Sequence, residues 1–125
     1  MTTHCGPHES VIFHGRLVGS EVAVSLCLQP GLQYGFHYGV PGGAPIVAFS
    51  IPSTAARGGW DWEDFDGMDW VSLTLPQDGM RYTLWVSRPI PETALPQAQM
   101  QIIWGDGEAS YRFEPSSVIS DLPFD

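Results

Sequence analysis

The chain has 125 residues, enough for one domain with one hydrophobic core. Fourteen acidic residues oppose five arginines, there is no lysine, and the formal net charge is −9. Because phosphate contacts dominate the affinity of nucleic-acid-binding proteins, this charge argues against DNA, RNA and anionic membranes and favours a basic protein or a metal ion as partner. No apolar run approaches the roughly 20 residues of a membrane-spanning helix, so we expect a soluble globular protein.

The N-terminal residues contain no charged segment followed by an apolar one. We therefore expect either a cytosolic protein or a secreted one whose signal peptide is absent from this sequence. The even cysteine count and the terminal position of Cys5 favour a disulfide with Cys27 and an oxidising compartment, and two reduced thiols are the alternative. A disulfide would add about 3 kcal/mol of stability, mostly by restricting the unfolded chain, and would pin the N-terminal segment to the second strand.

The first half of the chain predicts four strands, at residues 11–18, 21–28, 32–38 and 46–51. In the second of them Val22, Val24 and Leu26 alternate with smaller or polar residues, which is typical of a β-strand. Pro30 and Gly31 predict a type II turn before the aromatic third strand. Residues 39–45 are too rich in Gly and Pro for anything but a loop, and residues 53–57 could form one helical turn.

The second half predicts strands at residues 71–75, 80–87, 100–104 and 108–113, with a possible last strand at 116–121. Asp78-Gly79 and Asp106-Gly107 are turn signals between alternating runs and predict two hairpins. Residues 88–97 carry three prolines and should wrap the outside. Because no window has a sustained 3.6-residue period, we predict a single all-β domain over residues 1–125, an antiparallel sandwich or partly closed barrel of seven or eight strands with long loops.

Residues 58–70, GGWDWEDFDGMDW, hold five carboxylates, three of the five tryptophans and no basic residue. The segment fits neither a helix nor a strand period, and glycines punctuate it, so we predict a loop. Aromatic rings surrounded by like charges suit a surface that a positively charged partner covers. In the alternative interpretation, the loop packs its tryptophans onto its own domain and leaves the acids in solvent.

The same segment superficially resembles the middle of an EF-hand loop, because Gly67 follows two aspartates. In that register Trp62 and Leu73 would occupy the first and twelfth ligand positions, which excludes an EF-hand. A non-standard calcium site built from some of the loop carboxylates stays open, namely Asp61, Glu63, Asp64 and Asp66. No other cofactor is expected.

The side chains allow three further interpretations. A zinc site at His4, Cys5 and His8 has no recognised ligand spacing, and a flexible tail is the simpler expectation. A glycosidase could use Glu63 and Asp66, but crowded carboxylates on one loop give no environment that separates an acid from a base, so we do not expect an enzyme. A carbohydrate-binding module is the main alternative, although residues 58–70 lack the Asn, Gln or Lys usual at sugar sites.

Three segments carry a resemblance to small periplasmic β-proteins of Gram-negative bacteria: Ser25-Leu26-Cys27, the aromatic LQYGFHYG at residues 32–39, and SSVISDLPFD at the end. More narrowly, the chain resembles a periplasmic immunity protein that neutralises a peptidoglycan-cleaving muramidase delivered by a type VI secretion system. The broader group has a third cysteine just before SSVISD, where this chain has Phe113-Glu114-Pro115. The resemblance therefore implies that any disulfide joins Cys5 to Cys27.

The resemblance implies a periplasmic inhibitor that inserts its acidic loop into the substrate groove of a secreted peptidoglycan hydrolase. The residues expected to contact this partner from the loop are Trp60, Asp61, Trp62, Glu63, Asp64 and Asp66. The hairpin tip at residues 105–108 would add Asp106 and Glu108, with Ser110 and Tyr111 beside it, if both loops lie at the same end of the sandwich. An ordinary type I′ turn is the alternative for that tip.

Overall fold

A computed structural model describes residues 3–61, 68–89 and 97–120, with the backbone alone for 59–61, 68–69 and 88–89. These residues form ten strands: β1 Ser10–Arg16, β2 Ala23–Gln29, β3 Gln33–Gly39, β4 Pro45–Pro52, β5 Arg57–Asp61, β6 Met68–Gln77, β7 Met80–Pro89, β8 Ala98–Trp104, β9 Gly107–Arg112 and β10 Ile119–Ser120. Short 3₁₀ turns lie at Ser53–Ala55 and Pro115–Ser117. No helix in these ranges is long and apolar enough to cross a membrane.

The strands form two antiparallel five-stranded sheets, which confirms the predicted β-sandwich, with ten strands in the described residues rather than the predicted seven or eight. Sheet 1 has the order β10-β1-β2-β3-β4, and sheet 2 has the order β5-β6-β7-β8-β9. Neighbours in each sheet are mostly neighbours in sequence, since short turns can join only adjacent antiparallel strands. The single 3₁₀ turn at Ser53–Ala55, where the sequence predicted one helical turn, leads the chain from sheet 1 into sheet 2.

The core lies between the sheets and is filled by alternate residues of the strands. Phe36 of sheet 1 packs on Tyr82 of sheet 2 with their ring centroids 5.0 Å apart. Phe13 meets the ring of Phe113 edge-on at 5.1 Å. Burying apolar side chains such as these contributes roughly 1.5–3 kcal/mol each, so the alternation predicted from the sequence is what holds the two sheets together.

The N-terminal segment covers the outer face of sheet 1. A disulfide joins Cys5 to Cys27, as predicted, and Cys27 is fully buried. On β2 both faces are buried, since Ala23, Ser25 and Cys27 are as inaccessible as Val24 and Leu26 on the core side. The alternation alone suggested a strand buried on one side, but residues 3–9 shield the other.

The flexible tail expected around His4 is not what the structure shows. The His4 ring stacks on His37, with centroids 5.6 Å apart. Its Nε2 lies 3.2 Å from the carbonyl oxygen of Ala23 and 3.0 Å from that of Gly39. Because both partners are acceptors, Nε2 carries the proton and donates it. The His4 amide donates to Ser25 Oγ at 3.1 Å, so main chain and side chain both fix the segment to sheet 1.

The predicted loop at residues 58–70 is wrong at both ends, where the backbone is in strands. Gly58 pairs with Leu73 and Trp60 with Val71, which places β5 on the edge of sheet 2 beside β6. Strand β6 already begins at Met68. Gly58 and Gly59 interrupt the side-chain alternation that would have predicted this strand. Its stability comes instead from the backbone hydrogen bonds of the ladder with β6.

Candidate functional site

The outer face of sheet 2 is the surface opposite the core, and it is polar and aromatic. Its members alternate along each strand with buried residues: Trp70 precedes Val71, Trp85 lies between Leu84 and Val86, and Gln99 lies between Ala98 and Met100. The pleat of a β-strand sends successive side chains to opposite sides, so one pattern builds both the core and this face.

Strand register brings side chains from four strands of this face together. Ser72 of β6 lies opposite Trp85 of β7, which lies opposite Gln99 of β8, and Gln99 lies opposite Arg112 of β9. The next row contains Thr74, Thr83, Gln101 and Ser110. Side chains directly opposite each other are about 4.5–5.5 Å apart at Cβ, so each row is a continuous strip across the sheet.

A recess of about 270 Å³ opens on this face and is lined by Trp70, Trp85, Gln99, Gln101 and Ser110. A second one, of about 460 Å³, is lined by residues that include Trp70, Gln99, Arg112 and Pro115. Because Trp70 and Gln99 line both, the two recesses adjoin. We call the pair the tryptophan groove.

The polar side chains on this face divide into those bonded to other described residues and those that are not. The Gln101 amide Nε2 donates to Glu108 Oε2 at 2.9 Å, and the hydroxyls of Thr74 and Thr83 lie 3.0 Å apart. Within the described ranges, the side chains of Gln99 and Ser110 make no hydrogen bond. A carboxamide can donate two hydrogen bonds and accept two, so Gln99 presents unused capacity beside two indole rings.

The structure brings together only some of the predicted site residues. Trp60 and Asp61 lie in β5, where Asp61 pairs with Trp70. The predicted contact residues Trp62, Glu63, Asp64 and Asp66 lie outside the described residues. The calcium hypothesis depends on these same carboxylates, so the structure does not bear on it.

The hairpin tip at Asp106 is at the opposite end of sheet 2 from the acidic segment. The acidic segment joins β5 to β6 at the start of β6, whereas β6 runs to Gln77 and the turns after β6 and β8 share the far end, where Met80 pairs with Trp104. The condition for one combined contact surface is therefore not met. Glu108 and Ser110 do lie on the outer face of sheet 2.

Tyr111 does not share a face with Ser110. It is partly buried against the core, and its ring meets Tyr38 edge-on with centroids 6.2 Å apart. Burial raises the pKa of Tyr38, and the neighbouring Tyr111 raises it further. The alternation along β9 assigns Tyr111 to packing between the sheets, which removes it from the predicted contact surface.

The histidines under the N-terminal segment form a structural cluster. His14 Nδ1 lies 2.8 Å from Ser25 Oγ, and His14 is 2% exposed. Burial lowers the pKa of His14 and of His37, and the nearby His4 lowers both further. Cys5 is consumed by the disulfide, and among the described residues no group of three or more His, Cys, Asp or Glu side chains is arranged to hold a metal.

Sequence reasoning missed Trp85, Gln99, Gln101 and Arg112 as members of one site. Each stands at the outward position of a predicted strand, so the signal was present in the alternation that identified the core.

Comparisons with protein-family models, with curated proteins and with solved structures find no match to this chain. Its function is therefore inferred from the chemistry of the site.

Proposed function

We propose that this protein is a carbohydrate-binding β-sandwich domain, a binder rather than an enzyme, and that the tryptophan groove holds its ligand. The observation that supports this most is the placement of Trp70 and Trp85 around one recess together with Gln99, Gln101 and Ser110. Large aromatic surfaces combined with a few well-placed polar groups are typical of ligand sites.

The chemistry of the groove complements a sugar ring. One face of a pyranose is lined by C–H groups, which pack on an indole, while the hydroxyls at its rim need donors and acceptors. Trp70 and Trp85 are only half-buried, so ring surface stays accessible. The carboxamide of Gln99 and the hydroxyl of Ser110, which make no hydrogen bond to the described residues, lie beside them and supply both kinds of polar partner.

The shape of the groove favours part of a polymer over an enclosed small molecule. The first recess, of about 270 Å³, holds the two indoles. The adjoining recess of about 460 Å³ extends the groove toward Arg112 and Pro115. An extended groove on an open sheet surface can hold successive units of a chain that runs past the protein.

The Cys5–Cys27 disulfide is typical of proteins that fold outside the reducing cytosol. The disulfide supports a location outside the cytosol, and we propose the periplasm, where cell-envelope glycans would be the available ligands. Peptidoglycan fragments are the first ligands to test there.

Replacing Trp85 by Ala tests the proposal, and Trp104→Ala is the matched control. Trp104 is 42% exposed at the far end of β8 and does not line the groove. Titration with soluble peptidoglycan fragments, followed by calorimetry, should give saturable binding that Trp85→Ala weakens by about tenfold, or 1.4 kcal/mol. Trp104→Ala should leave the affinity unchanged. Absence of binding by the unmodified protein, or equal losses in both variants, would contradict a sugar site here.

A second function is supported by the topology of the acidic segment. It connects the edge strand β5 to its neighbour β6, which begins at Met68, two residues before Trp70. We propose as the alternative that this hairpin connection occludes the substrate groove of a secreted peptidoglycan hydrolase, the effector of a type VI secretion system. An anionic segment that is not a sugar polymer could fill a groove with a basic rim without offering a cleavable bond.

Pull-down against an effector encoded beside the gene tests this alternative. Replacing Asp61, Glu63, Asp64 and Asp66 together by Ser should weaken the affinity for the effector and reduce its salt dependence. Replacing Asp106 and Glu108 by Ser removes acidic charge at the opposite end of sheet 2 and serves as the control. Affinity that survives the first set of substitutions would remove the acidic segment from the interface.

A further inference from the structure

The described side chains on the outer face of sheet 2 carry a positive net charge, whereas the whole chain is negatively charged. The chain carries −9, yet three of its five arginines are on this face. Arg57 lies opposite Thr74, Arg81 lies on β7 opposite Ile103, and Arg112 lies opposite Gln99. All three side chains are exposed. The described side chains of this face include one carboxylate, that of Glu108.

These arginines are not neutralised within the described part of the chain. None of the three guanidinium groups makes a hydrogen bond or an ion pair there, whereas Arg16 on sheet 1 donates to the carbonyl oxygen of Ser20 at 3.1 Å. The carboxylate of Glu108 already accepts a hydrogen bond from Gln101. Among the described side chains, this face therefore carries more positive than negative charge next to the tryptophan groove.

The arginines are spaced as separate single charges. Arg57 and Arg81 are two strands apart across the sheet and two residues apart along the strand direction. This corresponds to about 12 Å between their Cα atoms. Arg81 and Arg112 are also two strands apart and four residues along the sheet, or about 16 Å. The three arginines are therefore spread across the face, where successive anionic units of a polymer could reach them one after another.

We infer that the ligand of the tryptophan groove is an acidic polysaccharide whose sugar units carry carboxylates. This inference rests on the proposed function and names the class of glycan. The indoles hold the ring faces, the amides and hydroxyls hold the rims, and Arg112 forms a forked pair with a carboxylate. The planar guanidinium matches the two carboxylate oxygens in a way that an ammonium group does not.

Of the three arginines, Arg112 should contribute most to ligand affinity, because it lines the second recess together with Trp70 and Gln99. A carboxylate on a sugar unit adjacent to the indoles would meet this guanidinium. Arg57 and Arg81 lie outside the groove and act at longer range, attracting the polymer rather than fixing one unit. Their contribution should fall with ionic strength more steeply than that of Arg112, since exposed charges are screened within about 10 Å at 0.1 M salt.

The test compares oligosaccharides of equal length: oligogalacturonates as the carboxylated probe, their methyl esters as the neutral probe on the same backbone, and a phosphorylated dextran fragment. Binding is measured by calorimetry at low and high NaCl. We expect the carboxylated probe to bind about tenfold more tightly than the neutral one at low salt, a difference of 1.4 kcal/mol. The difference should shrink as salt rises.

Three variants assign the effect to Arg112. Arg112→Gln should remove most of the preference for the carboxylated probe, because it should weaken binding of that probe far more than binding of the neutral one. Arg112→Lys should restore the preference only in part, because the forked geometry is lost. Arg16→Gln, an equal change of charge on sheet 1, is the control and should leave the preference intact.

The outcomes separate this inference from the proposed function. Equal binding of carboxylated and neutral probes would overturn the inference and leave a carbohydrate site in place. Tighter binding of the phosphorylated probe, or an equal loss in Arg16→Gln and Arg112→Gln, would overturn it as well. If the unmodified protein binds no glycan at all, the proposed function itself fails.

Discussion

Cutting the link between Cys5 and Cys27 gives the most quantitative test of how the N-terminal segment stabilises the fold. The change is Cys5→Ser, because Cys5 is partly accessible whereas Cys27 is fully buried. The two cysteines are 22 positions apart. In the chain-entropy model a loop of this size contributes about 3.4 kcal/mol, because the cross-link restricts the unfolded chain.

The expected loss is large for a domain of this length. A folded domain has roughly 5–15 kcal/mol of stability in total, so about 3.4 kcal/mol is a quarter of it or more. At about 4 °C per kcal/mol for a chain of this size, the melting temperature should fall by about 14 °C. Urea unfolding followed by tryptophan fluorescence measures the free energy of unfolding directly.

His4→Ala, with the disulfide intact, is the matched control. It removes the contacts from His4 Nε2 to the carbonyl oxygens of Ala23 and Gly39 and the stacking on His37. Net hydrogen bonds contribute about 1 kcal/mol each, so the loss should be about 1–2 kcal/mol. A loss below about 1 kcal/mol in Cys5→Ser, or a larger loss in His4→Ala than in Cys5→Ser, would refute the chain-entropy explanation.

Three further predictions concern the interior and one turn. Burial lowers the pKa of His14 and His37, so the unfolded chain binds more protons, and stability should be full above about pH 6.5 and fall as the pH drops toward the folded-state pKa values. Urea midpoints measured against pH should show this fall, and it should flatten when both histidines are changed to Gln. Gly15→Ala should destabilise by about 1–3 kcal/mol in the same assay, because its Cβ would lie 2.8 Å from the ring of Phe113. Leu32→Gly should stabilise by about 1 kcal/mol, since Leu32 has a φ of 58° and is 70% exposed; an unchanged urea midpoint would show that the turn is unstrained.

The local features of the sandwich could be read from the sequence. Alternation along residues 80–87 and the Asp78-Gly79 turn both appear in the structure, where β7 follows a turn in which both residues have positive φ. The even cysteine count likewise pointed to the Cys5–Cys27 disulfide. These features succeed because they depend on neighbours within a few residues, where the period of a strand and the backbone preference of Gly leave few alternatives.

The candidate site could not be read in the same way, because it depends on contacts between distant segments. Trp85 and Gln99 are ordinary outward residues until the register of sheet 2 places them opposite each other. Strand order likewise put Asp106 at the far end from the acidic segment. The sequence by itself determined which residues alternate, where the turns fall and which cysteines pair. The tertiary structure decided which strands are neighbours, and only that pairing turns scattered polar and aromatic residues into one surface.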